Sequence, residues 1–295
     1  MKAPRIGTAT DTIVFAHANG FPAGTYEPIF ALWRARGWRV EAPERFSHDS
    51  RYPVTSNWPR LRDQLVDFIV ARELAGAMVV GHSLGGLVGL LAACRRPDVV
   101  GGLVMLDSPV VAGWRAHSLH MAKRMRLIER VGPGAISRRR RHEWPSREAV
   151  RAHFAAKAAF ARWDPRMLDA YVHAGFDEAA AEPAHDPGDD GGAADTPRRI
   201  VLGIPREVET RIYNTLPHHV PALLRKHPPR CPVGFIAGTR STEMRQAGAA
   251  ASRALAGERW RWIDGTHLYP MERPEDTALL VLELLASMRP PSARR

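Results

Sequence analysis

Val79-Val80-Gly81-His82-Ser83-Leu84-Gly85-Gly86 carries the reading of this chain. An apolar strand over residues 77–80 runs straight into helix-forming sequence that ends near Arg95, and the junction between them is Gly-x-Ser-x-Gly. Each position has a physical reason. A serine on so sharp a turn needs neighbours two residues away without side chains that would clash. The turn lifts the hydroxyl above the sheet edge. The helix that follows aims its N-terminal N–H groups and positive dipole end at the same spot, which suits a nucleophile and the charge its attack creates.

Working outward, short apolar runs alternate with helical segments, the pattern of a parallel sheet with crossover helices. The expected strands cover residues 12–16, 38–41, 77–80, 102–106, 232–237 and 259–263. A helix is expected over 25–36, stopped by Gly37 in a left-handed conformation. Another is expected over 57–71, with Leu61, Leu65, Phe68 and Ile69 on one side. The last begins near Pro274, a good first-turn residue. Residues 110–230 break the alternation and read as mostly helical, with capped amphipathic helices over 147–161 and from Asp164 to Gly175. Residues 182–197 are rich in Pro, Gly and Asp without periodicity, and read as a flexible loop. The expected layout is an α/β core over 1–110 and 231–295. A helical lid over 111–230 is inserted between the fourth and fifth recognised strands.

At 295 residues the chain can bury roughly three quarters of its unfolded surface, so it needs no covalent staple. Cys94 and Cys231 show no framework or ligand spacing. The apolar run 12–18 is too short for a secretory core, and no 18-residue apolar stretch occurs, so a cytoplasmic protein without a membrane span is expected. The formal charge is +11, and of the 42 basic residues only Lys2, Lys123, Lys157 and Lys226 are lysines. Basic density peaks at Arg138-Arg139-Arg140-Arg141, preceded by Lys123, Arg124, Arg126 and Arg130. No nucleic-acid reading motif accompanies it, so specific nucleic-acid binding is not expected and a solvated helical face is the plainer reading. A polyanion-binding role remains the rival for that run.

The elbow resembles the signature of the α/β-hydrolase family, and the resemblance covers the sheet portions of the chain. It implies a serine hydrolase with Ser83 as nucleophile. Upstream, His17-Ala18-Asn19-Gly20-Phe21-Pro22 stands where the family carries its oxyanion loop, with Ala18 in place of the usual glycine. The resemblance assigns the Leu84 N–H as one oxyanion donor, and Asn19 or Phe21 as the other. Of thirteen histidines, only His267, in Gly265-Thr266-His267 after the last strand, stands where the family keeps its general base. The family's usual acid position, after strand 232–237, is occupied here by Ser241. Two carboxylates remain: Asp107, which ends strand 102–106 at a site some members use, and Glu243. Asp107 is favoured. Its plainer reading is a turn carboxylate.

The expected chemistry needs no cofactor and no metal: an acyl-enzyme forms on Ser83, and water releases it. The pairs His117/His120 and His218/His219 lack a third ligand at metal-site spacing. Carboxylic esters are the expected substrates, with thioesters, lactones or a carbon–carbon bond as variants. Trp114, Trp144, Phe154, Phe160, Trp163 and Tyr171 make the insertion aromatic-rich, which favours an apolar acyl or aromatic ester unless these rings form a core of their own. Arg45 and His48 are expected near the pocket mouth. A ligand-binding or scaffold protein with an inactive site is the alternative, motivated by the missing acid at Ser241. Nothing in the sequence speaks to oligomeric state.

Overall fold

A computed structural model describes residues 11–125, 132–180 and 198–289. In chain order the strands are β1 (Thr12–Ala16), β2 (Arg39–Glu41), β3 (Ala77–His82), β4 (Val100–Leu106), β5 (Glu143–Trp144), β6 (Phe176–Ala180), β7 (Arg198–Leu202), β8 (Val233–Gly238) and β9 (Trp260–Ile263). Six of them form a wholly parallel sheet in the order β2-β1-β3-β4-β8-β9. β1 and β3 are buried along their whole length, which is why they read as unbroken apolar runs rather than alternating ones.

Helices cover both faces. On one, α2 (Pro59–Ala71) and α3 (Leu84–Arg95) pack Leu61, Leu65, Val88 and Leu91 against the sheet. On the other, α1 (Glu27–Arg34) and the C-terminal helix Pro274–Met288 bring Ile29, Trp33, Val281 and Leu285 together. The Trp33 indole N–H donates to Ala278 O at 3.2 Å, tying these two helices. Gly37 has φ +86°, as expected of the residue that ends the first helical segment. Asn57 and Trp58 also take positive φ, so α2 starts at Pro59 rather than at 57.

The chain leaves the sheet after β4 and returns at β8, which puts the insertion between the fourth and fifth recognised strands. The expectation of an essentially helical insertion is corrected in one respect: β5, β7 and β6 form a separate antiparallel sheet in that order. Its strands hide in the sequence because β5 is only two residues long. β6 and β7 are studded with charges that pair across the sheet, Arg198 with Glu178 at 3.1 Å and Arg199 with Glu143 at 2.9 Å. The helix expected over 147–161 also stops early, at Ala155, and a 3-10 turn follows at Phe160–Arg162. The loop expected over 182–197 lies outside the described residues.

The aromatics of the insertion make a core rather than a pocket wall. Trp144, Phe154, Trp163, Tyr171 and Phe176 are buried together, with Phe160 packed against them and Phe21 from the core joining at 5.3 Å from the Tyr171 ring. Trp114 is the exception, at 70% exposed.

Candidate active site

Ser83 sits between β3 and α3 with φ +52° and ψ −110°, a conformation that L-residues adopt only under constraint. The constraint is visible in the glycines. A Cβ on Gly81 would lie 2.4 Å from Gly85 C, one on Gly85 1.9 Å from Ala16 O, and one on Gly86 2.1 Å from Ser108 Oγ. All three distances are impossible for a real side chain, so the turn requires the motif. The Ser83 N–H donates to Leu106 O at 2.9 Å, which clamps the elbow to the end of the neighbouring strand.

His267 lies on the loop after β9. Its Nε2 is 2.9 Å from Ser83 Oγ, and its Nδ1 is 2.7 Å from Asp107 Oδ2. Asp107 caps β4 with φ +44° and is fully buried. Its other oxygen, Oδ1, accepts the Gly238 N–H at 2.8 Å. Ser241 donates its hydroxyl to Asp107 Oδ2 and accepts the Met244 N–H at 3.1 Å, capping helix Thr242–Ala247. Ser241, at the family's usual acid position, thus holds the Asp107 carboxylate at the end of the neighbouring strand. Glu243 comes only to 3.9 Å of His267 Nδ1, with its side chain 43% exposed. It is a neighbour of the histidine and not its hydrogen-bond partner.

Electrostatics follow from these contacts. Burial disfavours the charged imidazole of His267, but the hydrogen bond and charge of Asp107, aided by Glu243, outweigh it and raise its pKa above the ordinary value. Burial also pushes Glu243 toward its neutral form, and His267 with the Thr242 hydroxyl reverses this, leaving its pKa lowered.

The two histidines beside the motifs are braces. His17 is buried, with its Nδ1 2.8 Å from Ala18 O and its Nε2 accepting the Phe46 N–H at 2.9 Å; burial holds its pKa down at about 4. His82 is fully buried, and burial lowers its pKa to about 3. Its Nε2 faces His267 O at 2.9 Å and must donate there, so Nδ1 accepts from the Tyr26 hydroxyl at 2.7 Å. The same hydroxyl accepts the Ala18 N–H at 3.3 Å. A continuous hydrogen-bonded chain therefore joins the Ala18 loop to the His267 loop beneath the serine. Tyr26 was not foreseen from the sequence, because its partners are far away along the chain.

The two loop N–H groups that the resemblance offers for an oxyanion differ in their partners. The Phe21 N–H is taken by Ala18 O at 3.2 Å, closing the turn at Gly20. Among the described residues the Asn19 N–H has no acceptor, and Asn19 and Leu84 both line the cavity at Ser83. The Asn19 side chain is anchored through Nδ2 to Glu209 O at 3.1 Å.

Ser83 and His267 face two cavities. One, of about 390 Å³, is largely apolar, walled by Trp58, Leu87, Val111, Leu119, Ile212 and Leu216, with Arg115 among its lining residues. The other, of about 400 Å³, is more polar and is bordered by Phe21, Arg162, Arg240, Thr242, Glu243 and Thr266. Trp58, Tyr213 and Arg115 escaped the sequence reading because only the folded insertion brings them to the serine. One expectation is corrected. Arg45 does not line either cavity: it forks onto Asp177 with both oxygens at 2.6 Å and bonds Gly203 O, while His48 is exposed elsewhere. Trp144, Phe154, Phe160, Trp163 and Tyr171 form a core of their own, while Trp58 and Tyr213 stand among the aliphatic side chains of the first cavity.

The basic run is not one patch. Arg140 turns inward to an ion pair with the buried Glu209 at 2.5 Å, and Arg141 donates to Glu143 O at 2.8 Å. His120 and His218 contact each other at 3.0 Å, crossing the pairs suggested by the sequence. Among the described residues, the cluster of three potential metal ligands is Asp107, Glu243 and His267, which is the site itself. No described helix is long and apolar enough to cross a membrane.

Comparison with known proteins adds to this geometry. A pyrethroid hydrolase of Sphingobium wenxiniae is 32% identical over 108 residues, which is 36% of this chain and 38% of that protein; the match thus spans little more than a third of the relative's length. Among solved structures, an E-2-(acetamidomethylene)succinate hydrolase superposes with a TM-score of 0.66 at 18% identity, covering 93% of this chain and 91% of the other. The thioesterase domain from the curacin biosynthetic pathway gives a TM-score of 0.65 at 16% identity, covering 92% and 90%. The profile of the alpha/beta hydrolase family matches residues 13–278, nearly the whole chain, and the chain belongs to that family.

Proposed function

We propose that this protein is a serine hydrolase that cleaves a carboxylic ester, or a thioester or lactone, through an acyl-enzyme on Ser83. The observation that carries the reading is the unbroken contact from Ser83 Oγ to His267 Nε2 at 2.9 Å and from His267 Nδ1 to Asp107 Oδ2 at 2.7 Å. The similarity over part of its length to a protein named a pyrethroid hydrolase supports hydrolysis as the reaction.

The steps follow from the positions of the groups. Ser83 Oγ attacks the acyl carbon while His267 Nε2 takes its proton, and Asp107 stabilises the imidazolium. The Leu84 and Asn19 N–H groups receive the oxyanion. The imidazolium then protonates the departing alkoxide as the carbon–oxygen bond breaks. Water enters by the reverse sequence and frees Ser83 and the acid. In this reading the acyl group occupies the apolar cavity and the leaving group the polar one. The motive for an inactive binding protein, the serine at the usual acid position, loses its force because Asp107 fills the role from the neighbouring strand.

The test is labelling with a fluorophosphonate probe together with turnover of p-nitrophenyl butyrate, in wild type, Ser83→Ala and His267→Ala. Labelling and turnover in wild type, both lost in Ser83→Ala, are expected. A folded wild type that neither labels nor turns over would remove the proposal.

A further inference from the structure

The arginines around the site differ in one respect. Arg162 and Arg240, at the polar cavity, stand within ion-pair range of Glu272, and Arg240 also meets Asp264. Arg140 is matched by Glu209 and Arg45 by Asp177. Arg115 lines the apolar cavity that opens on Ser83, and among the described residues its guanidinium has no carboxylate and no hydrogen-bond partner. It is partly buried, its Cζ lying 4.9 Å from the Trp114 ring centroid. Its Nη1 packs so close to Gly248 that a Cβ there would be 3.2 Å away. Glycine at φ +81°, ending helix Thr242–Ala247, leaves room for the group to reach the cavity wall.

A partly buried cation at the wall of a largely apolar cavity, with no ion pair among the described residues, gives an anion entering that cavity more than it would gain in water. The planar fork matches a carboxylate in particular. The carboxylate in that cavity's lining, Glu243, already has the Thr242 hydroxyl at 2.8 Å and His267 beside it. We infer that the apolar cavity takes an acyl chain whose far end carries a carboxylate, read by Arg115, so that the preferred substrates are half-esters of dicarboxylic acids. This rests on the ester-hydrolase reading above and adds the chemistry of the acyl group.

The experiment compares mono-p-nitrophenyl esters of six- to eight-carbon dicarboxylic acids with the same esters ending in a neutral carboxamide. Both release p-nitrophenol, so the ratio of their kcat/KM values is internally normalised within each variant. At one or more chain lengths the wild type should prefer the carboxylate at least tenfold. The ratio should fall toward one in Arg115→Met and lie between in Arg115→Lys, and rising salt should lower it in the wild type. Equal turnover of the two series by wild type, or a preference that survives in Arg115→Met, overturns the inference while leaving ester hydrolysis standing. Loss of all turnover in both variants, with wild type active, assigns Arg115 a structural role and equally overturns it. No turnover of any ester by wild type, p-nitrophenyl butyrate included, removes both readings.

Discussion

Asp107→Asn is the substitution whose consequence can be worked most fully from the structure. Asp107 Oδ1 accepts the Gly238 N–H, so in the variant the amide oxygen must take that position to avoid opposing two donors. The amide NH2 then faces His267 Nδ1, which lies 2.7 Å from the oxygen it replaces. Nδ1 can only accept, so the ring proton moves to Nε2, on the side of Ser83. Ser241 then accepts from the amide and must turn its hydroxyl hydrogen toward Glu243 Oε2, 3.4 Å away. The base is therefore held in the tautomer that cannot take a proton. Trapping an imidazole in this way lowers kcat by about 10⁴-fold, or ~5 kcal/mol of transition-state stabilisation. Stability should change little, because the exchange is isosteric and removes a buried charge. Glu243→Gln, which alters a half-exposed group outside hydrogen-bond range of the ring, should lose less than about tenfold. The assay is kcat for p-nitrophenyl butyrate, with a urea melt of each variant. If Asp107→Asn retains a tenth of wild-type activity, or Glu243→Gln loses as much as Asp107→Asn, the assignment of the acid is wrong.

Three further outcomes are expected. Because the pKa of His267 is raised and the neutral ring is the base, kcat/KM should rise with pH through a midpoint above about 6.5, and Glu243→Gln should move that midpoint down. A pH profile with a midpoint at or below the ordinary value would contradict this. Tyr26→Phe leaves the Ala18 N–H and His82 Nδ1 buried without partners, so it should destabilise by about 1–3 kcal/mol in urea and lower kcat more than it raises KM, since it loosens the loops that carry Asn19 and His267. Gly86→Ala places a methyl 2.1 Å from Ser108 Oγ and 2.8 Å from Gly81 O. It should destabilise by at least about 3 kcal/mol, seen as a loss of soluble protein or a sharply lower Tm.

The sheet was legible because its central strands are buried on both faces and its crossovers are helices with clear stops. β1 appears in the structure with the same bounds as the apolar run 12–16. Ser83 and His267 were legible because a motif and a loop position mark them. Asp107 was legible as a carboxylate at a strand end with a sharp turn after it. The small sheet of the insertion was not, since its pairing relies on ion pairs such as Arg199 with Glu143, and charged residues at strand positions look like loop. The aromatic content of the insertion was read correctly as to residues, yet its destination depends on whether those rings meet each other or a cavity. No local pattern decides that. The contacts of Tyr26 with His82 and of Ser241 with Asp107 are invisible for the same reason, being made across long stretches of chain, as is the placement of Arg115 at the cavity.

The buried hydroxyl of Ser252 accepts the Val110 N–H at 2.8 Å, three residues after Asp107 and just where the chain departs into the insertion. That bond acts as a mooring. A pull transmitted along the departing chain meets this fixed point before it reaches the acid, while Ser83 is separately pinned to β4 through Leu106 O. The spacing of Ser83 and Asp107 is thus held by contacts that lie outside the insertion. Exchange of the segment between Val110 and the return at Val233 should therefore spare that spacing, while it removes the Glu209 carbonyl that anchors Asn19 and the Ile212 and Tyr213 of the cavity wall.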